Sequence, residues 1–329
     1  MRVLVTGASG MLGRTVARTV LESGHAVRTF QRGASSIEGV QDARGSVTDR
    51  GAVTAAVEGV DAVIHLAAKV SFAGRAEEFN AVNVEGTRTL VEAARRAGAH
   101  RFVMVSSPSV AHAGLSIVGD GARAADPARA RGEYARSKAA AELLALEADG
   151  PGFSVVAVRP HIVWGPGDTQ LIERVVERAR RRRLPLLGGG LALIDTTYVD
   201  NAASAIAAAL DRAAEVHGRS FVVTNGEPRT VAELLAAICG AAGVPAPAWS
   251  VPAAVARGAG GLIERVWSVH PGADEPPMTR FLAEQLSTSH WYDQRETRAA
   301  LAWQPSVSLD AGIERLRLWY ATAPADRLF

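Results

Sequence analysis

Residues 1–24, MRVLVTGASGMLGRTVARTVLESG, contain the strongest fold signal in the chain. Residues 2–6 form a short apolar run that is typical of a buried parallel strand. Gly7, Gly10 and Gly13 follow, and an amphipathic helix is predicted through about Ser23. Because glycines have no Cβ atoms, the turn can be tight and its backbone N–H groups can approach a pyrophosphate at the helix N-terminus. The stretch therefore predicts a strand, a turn and a helix that together bind a dinucleotide.

The alternation of strands and helices continues along the first half of the chain. Strands are predicted at residues 26–30, 40–45, 62–67, 101–106 and 153–158, and helices at 49–57, 80–97 and 131–147. Such units imply right-handed crossovers and a doubly wound parallel sheet. We expect an α/β protein with a Rossmann-type domain over residues 1–160 and a smaller, mainly helical cap over 161–329. Segments at about 190–225 are expected to return to the first domain.

The cap is less regular in sequence. Helices are predicted at residues 170–183, 201–213 and 231–242, and a strand at 220–223. Residues 244–277 are rich in Pro, Gly and Ala, interrupted by apolar stretches. The basic run at residues 178 and 180–183 fits a solvated helix end, and an anion-binding role stays open.

Composition excludes several classes of protein. The formal net charge is +2 and the charges are interspersed, so we expect no nucleic-acid partner. Cys239 is the only cysteine and the eight histidines lack metal-ligand spacing, so we expect no internal disulfide and no metal site. No apolar run reaches the ~18 residues of a membrane span, and the first residues do not resemble a secretory leader. We therefore expect a cytoplasmic protein.

The end of the second predicted strand indicates which dinucleotide is preferred. An NAD site usually has an Asp or Glu there that binds the ribose 2′-hydroxyl. No acid occurs from Val27 to Ser36, and Arg32 stands where a 2′-phosphate would lie, with Arg14 opening the neighbouring helix. The sequence predicts a preference for NADP(H), and use of NAD(H) stays open.

A second constellation points to proton transfer. Tyr134 and Lys138 are four residues apart, so they share one face of the predicted helix. A phenol with a pKa near ~10 needs a nearby positive charge to act near neutral pH. Ser107, just past a strand, can donate to the same substrate oxygen. Lys138 is one of only two lysines among 36 basic residues, which suggests that a compact cation is needed there.

The motifs resemble the extended short-chain dehydrogenase/reductase family and occur in the family's order. They are TGASGMLG at 6–13, HLAAK at 65–69, NVEGT at 83–87, SSPSV at 106–110, YARSK at 134–138, RPHIVWGPGD at 159–168 and YVDN at 198–201. The resemblance implies that Ser107, Tyr134 and Lys138 are catalytic. It also implies that Asn83 supports the helix carrying the Tyr–Lys pair.

The glycine turn, the strand ends and the resemblance together predict the cofactor site. Its residues are Gly7, Ser9, Gly10, Met11, Leu12, Gly13, Arg14, Arg32, Val47, Leu66, Ala67, Ala68, Asn83, Tyr134, Lys138, Pro160, Ile162 and Val163. Ser46 departs from the family, which usually has an Asp there that meets the adenine. We therefore expect the backbone of Val47 to contact the adenine instead.

Two substrate groups compete within the family. Enzymes acting on nucleotide sugars commonly present an Asn soon after the Arg-Pro turn, whereas this chain continues with residues 161–164, HIVW. An apolar segment of the cap either packs on the main domain or lines a pocket for an apolar substrate. Its residues are Val251, Val255, Leu262, Ile263, Val266 and Trp267.

Residues 106–114 and 276–294 are similar to the 3β-hydroxysteroid dehydrogenase-like branch, and more closely to ketone reductases of bacterial long-chain olefin biosynthesis. That resemblance implies NADPH-dependent reduction of a 2-alkyl-3-oxoalkanoate to the 2-alkyl-3-hydroxyalkanoate. It also implies a homodimer, through helices at about 80–97 and 131–147, and association with other olefin-pathway enzymes. A steroid dehydrogenase-like oxidoreductase and a nucleotide-sugar epimerase or dehydratase stay open. A non-catalytic dinucleotide sensor is least favoured, because it needs no Ser–Tyr–Lys set.

Overall fold

A computed structural model describes residues 1–71, 74–112, 114–269 and 279–322, apart from the side chains of residues 264, 266, 268, 269 and 281. Part of the predictions for the cap falls outside this described part, namely those on the side chain of Val266 and on residues 270–278. Within it, no helix has both the length and the apolar content that a membrane crossing requires.

Strands and helices alternate through the first half of the chain. The strands are Arg2–Thr6 (β1), Ala26–Gln31 (β2), Gln41–Arg44 (β3), Ala62–His65 (β4), Arg101–Val105 (β5), Ile117–Asp120 (β6) and Ser154–Pro160 (β7). The helices are Met11–Glu22 (α1), Arg50–Val57 (α2), Ala76–Phe79 (α3), Gly86–Arg96 (α4) and Gly132–Glu147 (α5). A π-helical segment, Asn80–Glu85, joins α3 to α4, and a 3₁₀ turn, Pro108–Ala111, follows β5.

The second half has short strands and longer helices. The strands are Val163–Trp164 (β8), Leu186–Leu187 (β9), Leu193–Ile194 (β10), Thr197–Tyr198 (β11), Ser220–Val223 (β12), Arg229–Thr230 (β13), Ser250–Val251 (β14) and His290–Tyr292 (β15). The helices are Ile172–Arg180 (α6), Val199–Asp211 (α7), Ala213–Val216 (α8), Val231–Ala241 (α9), Ala253–Val269 (α10), Arg280–Ser287 (α11), Arg295–Leu301 (α12) and Leu309–Thr322 (α13).

A seven-stranded sheet forms the centre of the molecule, in the order β12-β7-β5-β4-β1-β2-β3. All its neighbouring strands are parallel. The predicted fold class, a doubly wound parallel sheet, is confirmed. The strand order reverses between β1 and β4, and ligands of such sheets bind at the carboxyl ends of the strands beside this point.

Both faces of the sheet are covered by helices. Val3 and Val5 of β1 face a core that α1 and α7 complete, whereas Leu4 faces the core formed with α2, α4 and α5. This alternation follows from the two-residue period of a strand, which points successive side chains to opposite faces. The two cores hold the carboxyl ends of the strands in a fixed arrangement.

Two features of the cap were not predicted from sequence. A four-stranded sheet has the order β13-β10-β15-β6, so it joins β6 of the first half to three strands of the second half. The second feature is α10, which forms despite three glycines. A Cβ atom on Gly260 would lie 2.7 Å from the Arg280 nitrogen, so glycine permits the close packing of α10 on the start of α11.

Candidate active site

One large cavity, of about 1640 Å³, opens at the carboxyl ends of the central strands. It exceeds the ~1,000 Å³ of a large ligand pocket and has room for a dinucleotide together with a substrate. The predicted site residues that line it are Gly7, Ser9, Gly10, Met11, Leu12, Gly13, Arg14, Arg32, Val47, Leu66, Ala67, Ala68, Ser107, Tyr134, Lys138, Pro160, Ile162 and Val163.

The glycine turn after β1 has no room for side chains. Gly7 has a φ of +76°, which favours glycine. A Cβ atom on Gly13 would lie 2.2 Å from the Gly7 carbonyl oxygen. Gly10 caps the N-terminus of α1 without a side-chain hydrogen bond, so the first N–H groups of the helix face the cavity end. These residues fit a dinucleotide, because a pyrophosphate can accept hydrogen bonds from that helix end.

Asn83 lies behind the cavity wall and does not line the cavity, unlike the other predicted cofactor residues. Its Oδ1 accepts a hydrogen bond from the Lys69 nitrogen at 2.7 Å, and its Nδ2 donates to the Ser137 hydroxyl at 2.9 Å. It therefore ties the loop after β4 to α5. Sequence analysis placed Asn83 both in the cofactor site and beneath the Tyr–Lys helix, and the geometry supports the second role.

Ser107 caps the 3₁₀ turn after β5. Its hydroxyl oxygen accepts hydrogen bonds from the Ser109 hydroxyl at 2.9 Å and the Ser109 nitrogen at 3.3 Å. Because Ser109 supplies the proton of the hydroxyl pair, the proton of Ser107 is available for an oxygen in the cavity. Ser109, which sequence analysis did not single out, thus orients the Ser107 hydroxyl. The sequence feature that could have pointed to Ser109 is the stretch SSPS at residues 106–109, in which Ser109 follows Ser107 by two residues.

Tyr134 and Lys138 lie one turn apart on α5 and both reach the cavity. The Lys138 Nζ donates a hydrogen bond to the Val105 carbonyl oxygen at 2.6 Å, at the end of β5. Burial lowers the pKa of Lys138 to about 8 and raises the pKa of Tyr134 to about 12. The phenol is therefore protonated at neutral pH in the free chain, which suits a proton donor.

The next turn of α5 is held by a buried ion pair. Glu142, fully buried, accepts hydrogen bonds from the Arg159 guanidinium on β7, including one from Nε at 2.9 Å. The Ser220 hydroxyl donates to the same carboxylate at 2.9 Å. Arg159 also donates to the Arg123 carbonyl oxygen at 2.6 Å. These contacts fix α5, and with it Tyr134, against the central sheet.

Three arginines line the end of the cavity near β2: Arg14, Arg18 and Arg32. The nearest strand carboxylate, Asp42, accepts hydrogen bonds from Thr29 and Gln31 and does not line the cavity. Among the described lining residues, Glu78 and Asp168 are the only acids. This end of the cavity is therefore cationic.

The apolar cap residues singled out from sequence are not among the described residues that line the cavity. Val251 packs against Leu187 and Ala256, while Val255 and Leu262 are exposed to solvent. The apolar lining comes instead from residues of α6, α9, α11 and the adjoining loops: Leu171, Val175, Leu184, Leu187, Leu235, Leu282 and Leu286. Arg174 and Arg178 of α6 line the cavity as well, so the predicted basic run begins inside the site.

Three buried histidines, which sequence analysis did not assign to the site, line the same cavity: His112, His161 and His290. The ring centroids of His112 and His290 are 4.7 Å apart, and those of His161 and His290 are 6.0 Å apart. Tyr292 packs on His161 at 5.2 Å. No group suited to hold a metal ion occurs among the described residues. No sequence signal links these histidines, because they lie on separate elements.

We expect acid to destabilise the fold. Burial lowers the pKa of His65 to about 3, of His161 to about 4 and of His290 to about 3, and lowers that of His112 as well. Below pH ~6.5 the unfolded chain binds protons that these rings do not, so the unfolding free energy decreases.

Asp195 opposes this trend, because burial raises its pKa to about 6 and the folded state binds that proton. The three histidines with strongly lowered pKa values contribute more to the change in unfolding free energy than this one carboxyl group does. Lowering the pH from about 6 to 5 should cost about 3 kcal/mol of unfolding free energy. Urea unfolding at both pH values measures it, and an unchanged midpoint and slope would contradict the assigned protonation states.

Comparisons with known proteins identify the family of this chain. The NAD dependent epimerase/dehydratase family model matches residues 3–224. The chain is 40% identical to the 2-alkyl-3-oxoalkanoate reductase of Stenotrophomonas maltophilia, covering 96% of this chain and 98% of that one. It is 29% identical to the mouse decarboxylating sterol-4-alpha-carboxylate 3-dehydrogenase, covering 94% and 88%. The Thermus thermophilus UDP-glucose 4-epimerase complex with NAD superimposes with a TM-score of 0.72 at 26% identity, covering 98% and 100%.

The chain therefore belongs to the NAD dependent epimerase/dehydratase family, and the sequence-based resemblance to extended short-chain dehydrogenases/reductases is confirmed. Its relatives include a 2-alkyl-3-oxoalkanoate reductase, a sterol-4-alpha-carboxylate 3-dehydrogenase and a 3 beta-hydroxysteroid dehydrogenase. The protein is an NAD(P)-dependent oxidoreductase.

Proposed function

We propose that the protein reduces the ketone of a 2-alkyl-3-oxoalkanoate to the 2-alkyl-3-hydroxyalkanoate with NADPH. The observation that carries the proposal is that Ser107, Tyr134 and Lys138 line one cavity at the glycine turn. The substrate class is supported by 40% and 33% identity to 2-alkyl-3-oxoalkanoate reductases over 96% and 95% of the chain. The leucines of the cavity wall suit alkyl chains.

Each catalytic residue has a defined role in this reaction. The reduced nicotinamide, when bound, supplies the hydride. Tyr134 gives its phenolic proton to the oxygen that becomes an alkoxide, and its raised pKa keeps that proton available. Ser107 donates a hydrogen bond to the same oxygen. Lys138, mostly protonated at neutral pH, binds the cofactor ribose and stabilises the phenolate that remains.

NADP(H) preference is supported by charge. Arg14, Arg18 and Arg32 surround the place where the second strand ends, and Asp42 is engaged by side chains of that strand. The 2′-phosphate of NADP(H) would be stabilised by these cations, whereas the 2′-hydroxyl of NAD(H) would find no carboxylate to accept its hydrogen bond. NAD(H) can still bind through the glycine turn.

The wider assignment rests on the resemblance of the sequence motifs to ketone reductases of bacterial olefin biosynthesis. We place the protein in long-chain olefin biosynthesis in the cytoplasm, as a homodimer that associates with other enzymes of that pathway. The dimer would form through α4 and α5, where Leu143 is exposed. We also propose that the cofactor domain ends at residue 160. The segment at about 190–225 returns to this domain, where β12 joins the central sheet and α7 packs on one of its faces.

The direct test is NADPH oxidation, followed by absorbance, after addition of a synthetic 2-alkyl-3-oxo acid. NADH, a 3-oxosteroid and a UDP-sugar are run in parallel. The proposal expects fast oxidation with the oxo acid and NADPH, and slower oxidation with NADH. Turnover of the steroid but not the oxo acid would overturn the substrate class. Conversion of the sugar without net NADPH loss would indicate an epimerase instead.

A further inference from the structure

Three buried histidines of the cavity wall form a polar patch, here called the histidine cluster: His112, His161 and His290. Each ring is at least nine-tenths buried. The Nε2 atom of His112 and the Nδ1 atom of His290 have no hydrogen-bond partner among the described residues. A buried polar atom without a partner costs about 1–3 kcal/mol, so a cluster with two such atoms points to a ligand.

Hydrogen bonds determine where two of the rings carry their proton. The Thr288 hydroxyl donates to the Glu284 carbonyl oxygen at 2.7 Å. The His290 Nε2 atom, 3.0 Å from the Thr288 oxygen, must therefore donate, which leaves Nδ1 without a proton. His161 donates through Nδ1 to the Asp195 carbonyl oxygen at 2.7 Å, which leaves its Nε2 without a proton. Two of the three neutral rings thus present hydrogen-bond acceptors.

The third ring can supply a hydrogen-bond donor beside the two acceptors. The Nε2 atom of His112 has no partner among the described residues, so it can carry the proton and donate. A donor beside two acceptors matches a protonated carboxyl group, which accepts through C=O and donates through O–H. A primary amide has the same pattern, whereas an ester has no donor.

We propose that the histidine cluster is the recognition site for the substrate's carboxyl group, and that this group binds there together with one proton. The inference rests on the proposed function, since a 2-alkyl-3-oxoalkanoate carries its carboxyl group two bonds from the ketone carbon. The histidine cluster and the catalytic residues line the same cavity. His112 ends the 3₁₀ turn that Ser107 begins, and His161 lies between Pro160 and Ile162 on the cavity wall.

The charges around the cluster favour uptake of a proton over binding of a free carboxylate. Burial lowers the pKa of His112; Glu284 partly offsets this shift and Arg131 adds to it. The other titratable groups that face the cluster or its neighbours are Asp195, Glu227, Tyr292, Asp120 and Arg159. Burial keeps His161 and His290 neutral at pH 7, with pKa values of about 4 and 3. A carboxylate therefore meets no fixed positive charge at these two rings, and one proton has to accompany it, on the ligand or on a ring.

The test compares three substrates that share the ketone: a 2-alkyl-3-oxo acid, its primary amide and its methyl ester. Their kcat/KM values with NADPH are measured on the wild-type protein from pH 6 to 8. Linkage to one proton requires the ratio of acid to amide to fall about tenfold per pH unit. The amide should exceed the ester by about tenfold, which is one hydrogen bond of ~1.4 kcal/mol. Effects of pH on Tyr134 and Lys138 are common to all three and cancel in the ratios.

A ratio of acid to amide that does not change with pH would overturn the inference. Preference for the acid at every pH would point instead to the cavity arginines, Arg174 and Arg178. Loss of turnover with all three substrates would overturn the proposed function, which is a separate outcome. H290F should abolish the pH slope and bring amide and ester together. H217F, at an exposed histidine that pairs with Asp149, is the matched control and should preserve both ratios.

Discussion

Replacing Tyr134 by phenylalanine should reduce turnover of the oxo acid by about 10²-fold or more while leaving NADPH affinity near the wild-type value. The ring stays in place on α5 and only the hydroxyl is lost. In the proposed mechanism its proton goes to the developing alkoxide. Burial raises the pKa of Tyr134 to about 12 and so keeps that proton on the phenol. Turnover is followed by NADPH absorbance and affinity by NADPH fluorescence.

Tyr320 offers a matched control for this substitution. It lies on α13, and it is not among the described residues that line the cavity. Y320F removes the same hydroxyl group and should leave turnover within about twofold. Wild-type turnover in Y134F would show that the proton comes from another group and would remove Tyr134 from the mechanism. A parallel loss of NADPH binding would indicate a structural defect instead.

Replacing Glu142 by leucine should lower the free energy of unfolding by about 3–5 kcal/mol. Glu142 and Arg159 are both almost fully buried, and the substitution leaves the guanidinium without its counter-charge. The loss should be measured by urea unfolding. Because Glu142 lies two turns from Tyr134 on α5, turnover of the remaining folded protein should also fall.

The double variant E142L/R159L separates the charge from the packing. It removes both ions, so it should be more stable than E142L alone, and the difference measures the cost of the unpaired guanidinium. E133L is the surface control, since Glu133 pairs with Arg136 on the exposed side of the same helix. A loss of less than about 1 kcal/mol in E142L would mean that water or another group compensates Arg159.

Part of the active site could be read from local sequence. The Tyr–Lys spacing of four residues places both side chains on one helix face wherever the helix lies. The glycine turn needs no tertiary information either, because a Cβ atom on Gly13 would meet the Gly7 carbonyl oxygen within the same turn. Asn83 was harder to assign, because its partners Lys69 and Ser137 are 14 and 54 residues away.

The sequence by itself determined the parallel sheet, the glycine turn and the Tyr–Lys spacing, because hydrophobic period, glycine geometry and helical spacing act over a few residues. Only the tertiary structure decided the histidine cluster, the Glu142–Arg159 pair and which leucines line the cavity. Those contacts join residues tens to hundreds of positions apart, and no local rule relates such positions. The same holds for α10, which forms in a stretch rich in Pro, Gly and Ala and whose Gly260 permits close packing against α11.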